Sequence, residues 1–173
     1  MRHQGHFEAK YGDTLDDIRV FQELVARFLR PFAEGADILD IGASEGHFQF
    51  LFKDISKTYL GIDPNPRAPA VERATIAGTS GRYDLIIYCH VLEHVEDPIS
   101  ELRMANGRLK QDGRVFVAVP YGTAPWAWEY DSHLWLFRED NLKRIAQCAS
   151  LRVQSMFKIN LRRDCEELWA MLR

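Results

Sequence analysis

"ILDIGASEGHF" occupies residues 38–48 and decides how the rest of the chain is read. A short apolar run ends in the acidic Asp40. A loop follows with Gly42 and Gly46 and, between them, Ser44. The apolar stretch "FQFLF" comes next and reads as the start of a helix. A strand, a tight turn and a helix start form a cradle for a ligand. Glycine has no Cβ, so it lets the backbone come close to what is bound. A dinucleotide fingerprint would read G-x-G-x-x-G. Counted from Gly42, this chain has Ser44 and His47 at the later positions, which argues against a nicotinamide or flavin ligand.

Outward from that loop, strands alternate with helices. Residues 15–29 carry apolar side chains at 18, 21, 24, 25, 28 and 29, a helical period, with Pro31 and Gly35 as stops. "ADILDIG", "TYLGID", "DLIIYCHV" and "RVFVAVP" read as strands, and "LRVQSMFKI" as a last one. Helices are expected over "HFQFLFKDI", "DPISELRMANGRL", "REDNLKRIAQCA" and the closing "DCEELWAML". Pro98 suits the first turn of the second of these. "QDG" at residues 111–113 reads as a turn, and one short strand is expected near "ERATIAG". Near-continuous apolar strands between helices imply a parallel sheet covered on both faces. The expected architecture is α/β: one doubly wound, Rossmann-like, mostly parallel sheet of 6–7 strands in a single domain over 1–173. Its parts are an N-terminal helical cap (1–35), a core (36–157) and a C-terminal helix (158–173). Open sheets of this kind bind ligands beyond the carboxyl ends of the strands.

With 22 basic and 25 acidic residues the net charge is −3, so the chain lacks the profile of a general nucleic-acid binder. Its cysteines (Cys89, Cys148 and Cys165) are odd in number and widely spaced. They form neither a zinc pattern nor a disulfide framework, which fits a reducing compartment. The first residues, "MRHQGHFEAK", have no apolar signal core, and no run reaches membrane-spanning length. A cytoplasmic protein is expected.

The spacing Asp40-x-Gly42-x-Ser44-x-Gly46 resembles the first motif of class I S-adenosylmethionine-dependent methyltransferases, usually D/E-x-G-x-G-x-G. Three later stretches resemble that family in the same order. "YDLIIYCHVLEHVEDP" is similar to its fourth strand and following helix, and "LKQDGRVFVAVP" to its turn and fifth strand. "DSHLWLFREDNLKRIAQCASLRV" resembles the downstream part of the small-molecule branch, which includes ubiquinone-type and sugar O-methyltransferases. The resemblance spans roughly residues 36–157. It implies S-adenosyl-L-methionine as cofactor, S-adenosyl-L-homocysteine as product and a small-molecule acceptor. It places Asp40, Gly42, Ala43, Ser44, Gly46, Cys89 and His90 around the cofactor and Asp63 at its ribose hydroxyls. Serine is small and still offers a backbone amide, so Ser44 is compatible with cofactor binding. One departure is the middle section. Twenty residues separate Asp63 from Asp84, and "IAGTSG" has no acidic residue for the adenine amino group. Thr79, Ser80 or a backbone carbonyl would have to serve.

Methyl transfer to oxygen needs the acceptor proton removed, and histidine suits that near neutral pH. His90 and His94 flank the end of the fourth strand, and His133 lies in the loop after the fifth. His133, assisted by His90 or His94, is therefore expected to be catalytic. His90 and His94 are four apart and fit one helical face. The pattern His90-x-x-Glu93-His94 with a later His133 is partly similar to the E-x-x-E-H metal motif of small-RNA ribose methyltransferases, with a different first residue. A divalent metal stays open, with a general base preferred and Glu93 read as an orienting residue. Trp126 and Trp128 fall where a substrate loop would stack on an acceptor. They would equally cap the core or an interface between copies, so a homo-oligomer stays open. The rival to an enzyme is a cofactor-binding but inactive partner subunit, motivated by the shortened middle section.

Overall fold

The structure is a computed structural model describing residues 15–124, 127, 132–162 and 165–173. Trp126 and Trp128 lie outside the described residues. The chain opens with helix α1 (Leu15–Ala33). It continues through strand β1 (Asp37–Ile41), helix α2 (His47–Phe52), and strands β2 (Thr58–Asp63) and β3 (Glu72–Arg73). Strand β4 (Tyr83–Cys89), helix α3 (Pro98–Gly107), strand β5 (Leu109–Pro120) and helix α4 (Glu139–Cys148) follow. Strands β6 (Val153–Arg162) and β7 (Cys165–Leu172) close it. The seven strands form one sheet in the order β3-β2-β1-β4-β5-β7-β6.

The expected parallel centre is present: β1 pairs parallel with β2 and β4, and β4 with β5. From β1 the chain moves outward to β2 and β3 and then returns to β4, so the order reverses between β1 and β4. That reversal opens a crevice at the carboxyl ends of these two strands.

The period-two alternation of each strand divides the core. Leu39, Ile41, Ile86, Tyr88, Val115 and Val117 pack with α3 and α4 on one face. Ile38, Leu85, Ile87, Phe116 and Ala118 pack with α1 and α2 on the other. Helix α3 begins where Pro98 was read: Asp97 caps it, accepting from the amides of Ile99 and Ser100 at 3.0 Å each.

Three expectations are corrected. Pro31 does not stop the first helix, which runs through it to Ala33. Proline loses its own hydrogen bond and crowds the Arg27 carbonyl, and burial of Val25, Leu29 and Ala33 carries the helix through that cost. The stop comes at Gly35, with φ +67° and its N–H on the Ile55 carbonyl at 2.8 Å. Residues 111–113 are not a turn between elements but lie within β5, in a bulge where the pairing jumps from Tyr83–Leu109 to Leu85–Arg114. Gly113 allows this, since a Cβ there would lie 2.7 Å from the Tyr83 carbonyl oxygen.

The expected C-terminal helix over 158–173 is a strand hairpin instead. Strand β7 is antiparallel to both β5 and β6 and lies between them. Leu168, Ala170 and Leu172 enter one core, Trp169 and Met171 the other. Burial on both faces overrides the helix propensity of Glu, Leu, Ala and Met.

Candidate active site

The loop after β1 sits at the crevice. Gly42 and Gly46 have φ +71° and +72°, in the left-handed region where glycine carries no penalty. At Gly42 space matters as well: a Cβ would come within 2.4 Å of Val91 Cγ2. Ser44 is also left-handed, with φ 46°. Its amide, which the sequence reading left for the ligand, is donated instead to Asp63 Oδ2 at 3.1 Å. Asp63 Oδ1 accepts from the Asn65 amide at 2.7 Å. The carboxylate at the end of β2 thus ties the β1 loop to the β2 loop. Gly42, Ala43, Ser44, Gly46 and Asp63 stand together as the sequence implied, and a loop of this shape fits an adenosyl cofactor.

Asp40 is almost fully buried, and the Tyr59 hydroxyl donates to its Oδ2. Burial pushes its carboxyl up to about 7; the Tyr59 bond lowers it and the nearby Asp63 charge raises it further. Cys89 ends β4. Burial pushes its thiol up, and the carboxylates of Glu167, Asp40 and Glu93 add to this, so it stays uncharged. In the loop between β3 and β4, the Thr79 hydroxyl donates to the Ile76 carbonyl at 2.8 Å, leaving its lone pairs as acceptors. The Ser80 carbonyl accepts from the Tyr83 hydroxyl at 2.8 Å.

Past β4 the chain makes a left-handed turn at His90 (φ 56°) and then a short 3₁₀ turn, Leu92–His94. His90 and His94 therefore share no α-helical face; they converge on Glu93. His90 Nδ1 is 3.3 Å from Glu93 Oε1, and His94 Nε2 is 3.9 Å from the same oxygen. His90 Nε2 lies 3.2 Å from Glu167 Oε2, and its ring meets Phe21 of α1 edge-on at 5.1 Å. Burial pulls the His90 imidazole down, but Glu167 and Glu93 outweigh it and hold it up to about 10. His90 is thus a cation between two carboxylates. Glu167 was missed because β7 was read as a helix. A strand reading, in which Glu167 shares a face with Trp169 and Met171, would have pointed it at the site.

His133 reaches the same place through the main chain. The Leu134 amide donates to the Glu93 carbonyl at 2.7 Å, and the Trp135 indole N–H to the Val95 carbonyl at 2.9 Å. The His94 and His133 rings lie 4.9 Å apart, edge to face. Each fixes its Nδ1 on a carbonyl: His94 on Ser132 at 2.9 Å, His133 on Ala127 at 2.6 Å. Burial lowers the His133 imidazole below the ordinary value and the Ala127 bond partly offsets it, so the ring is neutral at neutral pH.

A seven-stranded sheet in this order, with a glycine loop and an acidic strand end at its reversal, invites comparison with known proteins. A family model described as a methyltransferase domain matches residues 14–156. No curated protein matches the chain. Among solved structures, it is similar to the Burkholderia thailandensis 1,6-didemethyltoxoflavin-N1-methyltransferase with bound 1,6-didemethyltoxoflavin and S-adenosylhomocysteine. That match has TM-score 0.71 and 17% identity, over 97% of this chain and 82% of the other. It is also similar to the magnesium protoporphyrin IX methyltransferase of Synechocystis, with TM-score 0.71 and 15% identity, over 98% and 94%. A third is a SAM-dependent methyltransferase of Archaeoglobus fulgidus, with TM-score 0.70 and 16% identity, over 99% and 100%. The chain belongs to the methyltransferase-domain family, with the fold of class I S-adenosylmethionine-dependent methyltransferases.

Proposed function

We propose that this methyltransferase moves the methyl group of S-adenosylmethionine to a hydroxyl of a small-molecule acceptor. Bound at the crevice, the cofactor supplies an electrophilic methyl on its sulfonium. The chain's own residues bind, orient and handle the proton. Asp63 accepts hydrogen bonds from the ribose hydroxyls, strengthened by its charge. Gly42, Ala43, Ser44 and Gly46 line the methionine end, with Asp40, Cys89 and His90 behind them. Holding donor and acceptor in line provides much of the acceleration.

The observation that carries the oxygen reading is the His94–His133 pair. Because a carbonyl only accepts, His133 Nδ1 bears the hydrogen, and in the neutral ring the lone pair is on Nε2. That nitrogen receives the acceptor proton. His90, already protonated between Glu93 and Glu167, is a positioning residue and not the base. The net charge of −3 speaks against a nucleic-acid acceptor, and among the described residues no helix is long and apolar enough to cross a membrane. The proposed compartment is the cytoplasm.

The test is calorimetric titration with S-adenosylmethionine and S-adenosylhomocysteine, followed by product assays over hydroxyl, amine and carbon acceptors. Binding with transfer to hydroxyls supports the proposal. Transfer only to amines or carbons would overturn the oxygen assignment. Binding with no turnover on any acceptor would favour an inactive partner subunit.

A further inference from the structure

Glu93 presents an anomaly that the proton-transfer reading does not use. It is 1% exposed, and neither carboxylate oxygen has a hydrogen-bond partner among the described residues. A buried carboxylate in that condition needs a positive partner in good geometry. The cationic His90 faces Oε1 alone, at 3.3 Å, and His94 lies 3.9 Å from the same oxygen, so Oε2 has no partner among the described residues. One ligating atom from each of Glu93, His94 and His133 lies within 4.8 Å of the others.

We propose that Glu93, His94 and His133 bind a divalent transition-metal ion at the rim of the crevice. Both histidines are oriented for it. Each gives Nδ1–H to a main-chain carbonyl, on Ser132 and Ala127. This is the outer support that fixes the tautomer of metal-ligating histidines and turns the Nε2 lone pair to the ion. The Leu134 amide on the Glu93 carbonyl holds the two ligand-bearing segments together without occupying any ligand atom.

Bonds of about 2.0–2.2 Å put tetrahedral ligands roughly 3.5 Å apart. The 3.9 Å between His94 Nε2 and Glu93 Oε1 is close to that. All three ligating atoms lie within 4.8 Å of one another. Two imidazoles and one carboxylate select zinc, cobalt, manganese or iron over magnesium, which prefers oxygen alone. Three protein ligands leave a position open, as catalytic zinc sites do. The inference of binding stands on these three side chains. Only what the ion does rests on the methyltransferase reading: an acceptor hydroxyl in the open position becomes more acidic and gives its proton to solvent water, so that His133, as a ligand, is no longer the base.

The experiment uses the full chain after chelator treatment, with Co²⁺ as probe, followed by calorimetry and visible absorption. Circular dichroism checks folding, and S-adenosylmethionine affinity is measured on the same samples. One equivalent of Co²⁺ should bind with nitrogen–oxygen ligand-field bands. Uptake should fall at least about tenfold in Glu93→Gln and further in His94→Ala and His133→Ala. A stripped protein that binds the cofactor but takes up no Co²⁺, or uptake unchanged in both histidine variants, overturns the ion site. Co²⁺ uptake that follows the three ligands in a protein with no cofactor affinity would sink the cofactor assignment and leave the ion site standing.

Discussion

Replacing Asp63 separates two jobs that its carboxylate performs. In the free protein it accepts the Ser44 amide at 3.1 Å and the Asn65 amide at 2.7 Å, one on each oxygen. In the complex it would also accept ribose hydroxyls. A hydrogen bond to a charged group contributes about 1.5–3 kcal/mol. Asp63→Asn keeps the shape but turns one oxygen into an amide NH₂, which must face one of the two backbone donors. One loop bond is lost and the remaining ones lose their charge. Asp63→Ala removes both, and Ser44, at φ 46°, is then held in a left-handed conformation without its tether. Cofactor affinity should weaken by about 1.5–3 kcal/mol in Asp63→Ala, roughly 10–150-fold in Kd, and by less in Asp63→Asn. Calorimetry measures that loss, and thermal melting without ligand measures the loop contribution separately. A lowered Tm with unchanged Kd would mean that the carboxylate only ties the loops, and the ribose assignment would be withdrawn.

The other predictions concern the same crevice. Gly42→Ala and Gly35→Ala share the conformational cost of a left-handed alanine, about 1–2 kcal/mol. Only Gly42→Ala also drives a Cβ against Val91, so its melting temperature should fall further; equal losses would refute the close approach. Asp40, held at about 7 against an ordinary 3.8, favours the fold while protonated; this contribution is complete below pH 3.8 and is lost as pH rises through 7. About three factors of ten correspond to roughly 4 kcal/mol, so urea melts at pH 4 and pH 8 should diverge less by about that amount in Asp40→Asn. His133, with its imidazole pushed below 6.5, is neutral throughout the neutral range, so metal-free turnover should fall only on acidification past that value. In the metal-free enzyme His133→Ala should cut turnover by roughly a hundredfold or more while leaving cofactor affinity unchanged, as steady-state rates and titration would show.

The loop and the four central parallel strands could be read from the sequence because their signals are local. Asp40, Gly42 and Gly46 stand at fixed spacings, and the buried strands are unbroken apolar runs. The β6–β7 hairpin could not be read this way. Residues 165–172 have good helix formers, and only their position between β5 and β6 makes them a strand. With that strand went Glu167, and so the pairing that makes His90 a cation. The meeting of His94 and His133 was foreseen as a shared rim. Its geometry was not, because it depends on main-chain bonds between residues far apart in the chain, such as Leu134 to Glu93. Glu93 read as an orienting residue for the same reason: spacing says nothing about burial.

The Leu134–Glu93 bond has a kinetic consequence. It joins the segment that carries His133 to the turn that carries His94. The segment cannot swing outward as a flap without pulling the two imidazoles apart. On the proposed mechanism, admission of an acceptor by that route and assembly of the reactive groups would exclude one another. On that mechanism any such opening would leave the open form unable to react, and would protect the cofactor from wasteful hydrolysis while the crevice is wet. The protection of a single backbone amide, that of Leu134, against solvent exchange becomes a direct gauge of how often the two imidazoles come apart.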